Sequence, residues 1–450
     1  MQPLHWLTWT EVATLKPNNL PAPFQPTGAV DLMPVPPPRL LPLLGWMTGA
    51  VFFFYAWVLR VAPSIMVDEL MRDLSVGAAV LGNLSAAYFY GYAGMQIPGG
   101  MLLDRFGPRR LVTVAALVCA GGTVMFALGQ SLAVVTTGRF LIGAAAAFSF
   151  IAAMKVASQW FPPHRFALLT GFAMAAGMAG GVVGQAPLRM AVEATDWRTA
   201  TLWIALGGVV ISLCAWCFMR DKELGTGGIK QVFSGLAEAI RDRQVLLLSL
   251  AGLGANGALL GFAGLWGVPF LVIAYDIERT TAATLISLLI AGWGIGAPMI
   301  GWLSDRVGSR KWPYVIGISV ECIALALIIW APALPLTLVG LLAFITGFAG
   351  SSMITSFALV RERVRPALTG TAIGFLNGMV TGAGALFQPL IGFILDLLWR
   401  GQSNAGSRVY DVLDYRISLS VLIVFCVIGL IALMMARETP HARPDSSTSP

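Results

Sequence analysis

Apolar residues run along almost the whole chain in stretches of about twenty or more, separated by short polar segments. About 20 apolar residues of α-helix cross the hydrocarbon core of a bilayer, so each stretch predicts a transmembrane helix. Twelve are present, at roughly 41–68, 78–101, 111–130, 133–160, 166–191, 199–219, 245–272, 281–302, 313–331, 335–360, 367–398 and 417–436. The longest polar interruption, 220–244, follows the sixth. The pattern predicts a tail at 1–39, a six-helix bundle at 40–220, a linker at 221–244, a second bundle at 245–437 and a tail at 438–450. Both tails are polar and proline-containing and are expected to be disordered. The first lacks the charged start and apolar core of a signal peptide.

Composition agrees. The 450 residues are 57% hydrophobic and 11% charged, with a mean hydropathy of +0.77. A soluble protein carries about a quarter charged residues, so a soluble enzyme is excluded. The net charge of +7 would suit a nucleic-acid binder, but no basic run with interleaved aromatics occurs. The charge follows topology instead. With both ends cytoplasmic, most of the 29 Lys and Arg residues fall in cytoplasmic loops, as the positive-inside rule requires of an inner-membrane protein.

No enzymatic chemistry emerges. The five cysteines all lie in apolar spans, and the Cys214/Cys217 pair has no second Cys or His pair beside it. The three histidines lie in the tails or a loop, and no GxxxxGK[ST] phosphate loop occurs. Neither a cofactor nor a metal is expected. The implied partners are the lipid bilayer, a small-molecule substrate and a coupling proton or ion, with a monomer as the expected state.

The halves repeat. Gly100, Asp104, Arg105, Gly107, Arg109 and Arg110 follow the second span, and Gly301, Asp305, Arg306, Gly308, Arg310 and Lys311 follow the eighth at the same spacing. A second match pairs Gly171-Phe172 and Gln185 in span five with Gly374-Phe375 and Gln388 in span eleven. Two matches at nearly one offset indicate a duplicated six-helix unit in parallel orientation, an arrangement found in one large transporter class. The fold class is therefore an all-α membrane protein of twelve transmembrane helices in two six-helix halves.

The doubled GxxxDRxGxRR/K element resembles the signature loop of the major facilitator superfamily. Arg139 to Gly143 resembles its RxxxG motif, and the glycine-rich fifth span resembles its fifth-helix motif without the usual Gly-Pro pair. The resemblance spans about residues 40 to 437. It implies transport by alternating access, with helices one, four, seven and ten lining a central cavity. It also implies that Asp104 meets the start of span eleven, near Thr369, when the cytoplasmic side is shut. Gly100 is expected to let helices approach closely. The plainer reading leaves the loop arginines serving topology alone.

Three cations fall inside the spans: Arg60 in span one, Arg139 and Lys155 in span four. No acid occupies the membrane part of those spans. An ionisable residue in the bilayer is costly and faces a cavity or a partner, so these three predict a cavity that welcomes a negative group. Snorkelling to the interface is the alternative. Arg139 has a third, bracing helices through backbone carbonyls. Lys155 and Arg139 cannot both face the cavity unless span four bends.

Trp57, Tyr88, Tyr92, Gln96, Asn256, Trp266, Ser352 and Asn377 complete the candidate substrate residues. Glu321 is the one acid deep in a span and a candidate proton site, with neutral packing as the alternative; Asp68, Glu69 and Asp73 read as solvated charge.

The stretch from Tyr55 to Arg60 resembles the organophosphate and organic-anion branches, which place an arginine here. The phosphate exchangers carry a second arginine in helix seven, where Gly261 to Trp266 has none. The function read from the sequence is a secondary active or facilitative transporter of a small organic anion or zwitterion: a carboxylate, an amino acid or a small peptide. A drug/proton antiporter and a non-transporting nutrient sensor are the alternatives.

Overall fold

The computed structural model describes residues 40–221, 241–332, 334–365, 369–404 and 407–438. The expected tails, apart from Glu438, and most of the expected linker lie outside the described residues. What is described is almost wholly helical. In hydrocarbon every backbone N–H and C=O must find a partner inside the protein, which a helix supplies from its own segment.

Among the described residues, eleven helical segments are long and apolar enough to cross a membrane. The helix Ala78–Leu128 supplies the remaining span. Its 51 residues would reach about 75 Å at 1.5 Å per residue, more than twice the hydrocarbon thickness. It turns at Gly107, whose φ of 77° is open to glycine, and Pro108 begins the next helix without an N–H to satisfy. Gly308 repeats the positive φ at 70° in the second half. The stretch before Pro98 is less apolar than the other spans, because Asn83, Tyr88, Tyr90, Tyr92 and Gln96 interrupt it.

Several spans are broken where the sequence reads as continuous. Span four divides into Leu132–Ala146 and Phe148–Trp160. Span ten runs Leu336–Gly350, a 3₁₀ turn Ser351–Ile354, then Thr355–Arg363. Span seven runs Arg243–Ala255, a π-helix Ala258–Trp266, then Gly267–Tyr275. Such backbone survives in a membrane where protein groups serve it. The repeat-related glutamines do so here. Gln388 Nε2 donates to Leu260 O at 2.8 Å, and Gln185 Nε2 donates to Ala263 O at 3.1 Å. A two-residue antiparallel ladder, Ser403–Asn404 with Ser407–Arg408, lies between spans eleven and twelve; it is too short for the sequence pattern to reveal.

The repeat is visible in packing. A Cβ on Gly143 would strike the Tyr88 carbonyl, and a Cβ on Gly347 would strike the Leu289 carbonyl. Span four therefore crosses span two, and span ten crosses span eight, backbone against backbone. Between halves, the Phe89 ring lies over Gly384, joining spans two and eleven, while Ile290 lies beside Gly181, joining spans eight and five.

Candidate substrate site and gates

Arg60 ends the regular helix of span one and is 6% exposed. Its guanidinium carbon lies 4.3 Å from the Trp57 ring centroid, 4.8 Å from Tyr92 and 5.4 Å from Tyr88. Nε donates to Tyr88 Oη at 3.3 Å. Tyr88 and Tyr92 stack one helical turn apart at 5.9 Å between ring centroids. No carboxylate pairs with Arg60 among the described residues. An aromatic cage offers the cation its negative ring faces, about 0.5–2 kcal/mol each, but no counter-charge. The four residues brought together here were all expected at the site.

Arg139 takes another role. It is 1% exposed; Nη1 donates to Leu59 O at 2.7 Å and Nη2 to Ser85 O at 3.3 Å. The fork ties span four to the backbones of spans one and two, so the bracing alternative describes its geometry. Its carbon lies 5.1 Å from the Tyr88 ring, so two buried cations flank one tyrosine.

Lys155 is not a cation without an acid. Span four bends at Ala147, and Lys155 Nζ reaches Asp104 Oδ1 at 2.7 Å. The sequence separates the two by 51 positions and assigns them to different functions. This corrects the expectation that no acid balances the span-four lysine.

The remaining candidates divide. Asn377 Nδ2 donates to Gln96 Oε1 at 3.2 Å, linking spans eleven and two across the halves. Asn256 Nδ2 donates to Val380 O at 2.9 Å, leaving its Oδ1 without a partner. Trp266 is fully buried and donates to Gln388 O at 2.9 Å, a packing bond. Ser352 packs against Gly317 in the second half. Glu321 is 1% exposed against Gly350, where a Cβ would come 2.9 Å from its carboxyl carbon, and its Oε2 has no partner. Neither contact of these last two reaches the Arg60 cluster.

Among the described residues, the hydrogen bonds and ion pairs of Arg109, Arg310 and Lys311 lie within their own halves. Arg109 N donates to Asp221 Oδ1 at 2.9 Å and its Nε to Trp216 O at 2.9 Å. Arg310 pairs with Asp305 and, at 3.4 Å, with Glu362, while its amide donates to Glu438. Lys311 Nζ donates to Ala436 O at 2.6 Å. Thus an acid just past span six serves the start of span three, and an acid just past span twelve serves the start of span nine. Arg105 and Arg306 lie over Phe106 and Trp302, and Arg110 is exposed. Gly100 and Gly301 have no close neighbour among the described residues, so the expected close approach is not seen there. Asp104 engages Lys155, while the side chains at 369 and 370 lie outside the described residues.

The opposite face is different, because some of its contacts cross the halves. Arg279 of the second half pairs with Asp68 and, at 3.2 Å, with Glu69 of the first. Glu69 also takes Arg189 Nη1 at 2.7 Å, and Glu193 accepts from Arg189 at 2.9 Å and from Thr280 at 2.9 Å. Asp73 accepts from Trp197 Nε1 at 2.9 Å. Asp68, Glu69 and Asp73 are therefore not merely solvated charge, and Arg189, the partner of Glu69, is 6% exposed. The sequence signal was available in part: three acids follow span one and one arginine opens span eight. Their pairing needed the fold.

Comparison with known proteins accords with this geometry. The profile described as Major Facilitator Superfamily matches residues 46–278 and again 258–450. An uncharacterized transporter of Bacillus subtilis (strain 168) is 27% identical over 56% of this chain and 63% of its own length. A hexuronate transporter of the same organism is 26% identical over 77% of this chain and 87% of its own. The crystal structure of a bacterial homolog to the human lysosomal transporter Spinster, in an inward-facing and unoccupied conformation, superposes with a TM-score of 0.75. It is 17% identical, over 88% of this chain and 97% of that one. Repeat, fold and profile agree: this multi-pass membrane protein belongs to the Major Facilitator Superfamily and is a transporter.

Proposed function

We propose that the protein moves a small organic anion, a carboxylate of sugar-acid size, by alternating access between the two halves. One observation carries the reading: Arg60 is buried among Trp57, Tyr88 and Tyr92 with no carboxylate beside it among the described residues. A buried charge without a counter-charge is costly, and an incoming carboxylate supplies one in the bidentate geometry that a guanidinium fits. Gln96, one turn beyond Tyr92, and its partner Asn377 offer hydrogen bonds suited to hydroxyl groups. The hexuronate transporter's name accords with such a ligand.

The positive-inside distribution supports a cytoplasmic motif face and cytoplasmic ends. An inward-facing conformation fits the contacts among the described residues, where Arg279 pairs with Asp68 across the halves at the opposite face and Lys155 pairs with Asp104 within one half at the motif face. Counterflow in proteoliposomes tests the assignment. Vesicles loaded with galacturonate should take up labelled galacturonate, and vesicles loaded with neutral galactose should not. Equal exchange with the neutral sugar would remove the anion from the reading.

A further inference from the structure

Asp396, near the end of span eleven (Thr369–Leu398), belongs to the second half. Its carboxylate accepts from the first two amides of a first-half helix: Ala78 N to Oδ1 at 3.1 Å and Ala79 N to Oδ2 at 2.9 Å. Those amides open span two, where a helix leaves its first N–H groups unbonded and its dipole favours an anion. The N-cap residue, Gly77, supplies no capping side chain of its own. A Cβ there would come 2.7 Å from Asp396 Oδ2, so the cap position is left vacant and the other half's carboxylate fills it. Tyr410 donates to Oδ1 at 2.6 Å and Arg408 pairs with it at 2.9 Å. Tyr410 Oη also accepts from Ala78 N at 3.1 Å.

The register of the seam shows what this contact answers to. Spans two and eleven run antiparallel, with Ala78 level with Asp396, Phe89 with Gly384 and Gln96 with Asn377. Continuing that register brings Asp104 level with Thr369, where span eleven starts. Each helix therefore ends in an aspartate level in register with the other's N-terminus. In this conformation one aspartate is bonded across the halves, and the other is bonded to Lys155 of its own half.

We infer that Asp396 is a positioning residue for alternating access: its cap on span two latches the face opposite the motif loops and must release for that face to open. A carboxylate across two amides is directional and exchangeable with water, which suits a contact made and broken in each cycle. The inference rests on alternating access and not on the identity of the substrate.

The test is amide hydrogen exchange on the full-length protein in lipid nanodiscs, without substrate. Loss of the cap alone would speed exchange only around residues 78–82. Loss of the latch should also slow exchange at the motif-face halves of spans four and ten, Phe148–Trp160 and Thr355–Arg363, as that face closes. Asp396→Asn and Gly77→Ala should each shift the ratio of the two states about tenfold, the equivalent of about 1.4 kcal/mol. Tyr410→Phe should shift it less, in the same direction. Should Asp396→Asn fail to fold, the other two variants decide. Faster exchange confined to span two, or at both faces together, would overturn the latch. Galacturonate exchange in the wild type is a separate readout, so failure of the anion assignment leaves this result standing.

Discussion

Lys155 and Asp104 form an ion pair of 2.7 Å between span four and the loop that ends span two. A cation expected to meet substrate thus holds the acid expected to gate the motif face. The pair is half-exposed, so its worth to stability is about 0–1 kcal/mol and its importance lies in conformation.

That pairing predicts the behaviour of two variants. Asp104→Asn should remain folded and inserted but transport more slowly. Lys155→Met should slow transport in the same direction, because both remove one contact. Uptake rates in vesicles, combined in a double-mutant cycle, should show the two effects overlapping instead of adding. Strictly additive losses would mean that the pair does not act as a unit.

Arg139 and Arg60 should separate cleanly. Arg139→Lys loses the fork that holds Leu59 O and Ser85 O, and lysine's point charge cannot replace it. We expect a lower melting temperature without ligand, reflecting about 1–3 kcal/mol of lost hydrogen bonding. Ligand-free stability equal to the wild type would exclude the bracing role.

Glu321 is predicted to be quiet. It packs against Gly350 without a counter-charge among the described residues, an environment that suits a neutral group. Glu321→Gln should keep both the melting temperature and the response of uptake to an imposed pH gradient. Loss of gradient-driven uptake with intact exchange would instead make it the coupling site.

Asp196 gives a pH dependence outside the spans. Hydrogen bonds from Thr199, then from the Arg198 amide at the start of span six, hold its carboxyl below the usual carboxylate range. A depressed carboxyl contributes stability that is complete above its unfolded range and lost as pH falls through its folded one. The melting temperatures of wild type and Asp196→Ala should therefore differ at neutral pH and converge in acid. A constant difference across that range would contradict the cap.

The spans were legible because hydrocarbon enforces one long apolar run per helix, and the halves were legible because the GxxxDRxGxRR/K element recurs. The breaks in spans four, seven and ten were not. In span seven the backbone groups are served by distant partners, Gln185 and Gln388, which periodicity does not register. At the site, Arg60, Trp57, Tyr88 and Tyr92 could be read from helical spacing and the shortage of acids. Lys155 could not, since its partner lies 51 positions away. The crossing network of Asp68, Glu69 and Arg279 was hidden for the same reason, its members being 210 and 211 positions apart.

The most direct measurement of the central claim is the affinity of purified Arg60→Lys for galacturonate, read beside its ligand-free melting temperature. Charge-assisted hydrogen bonds are worth about 1.5–3 kcal/mol, so binding should weaken by about tenfold to a hundredfold with little change in ligand-free stability. Wild-type affinity in Arg60→Lys would contradict that claim.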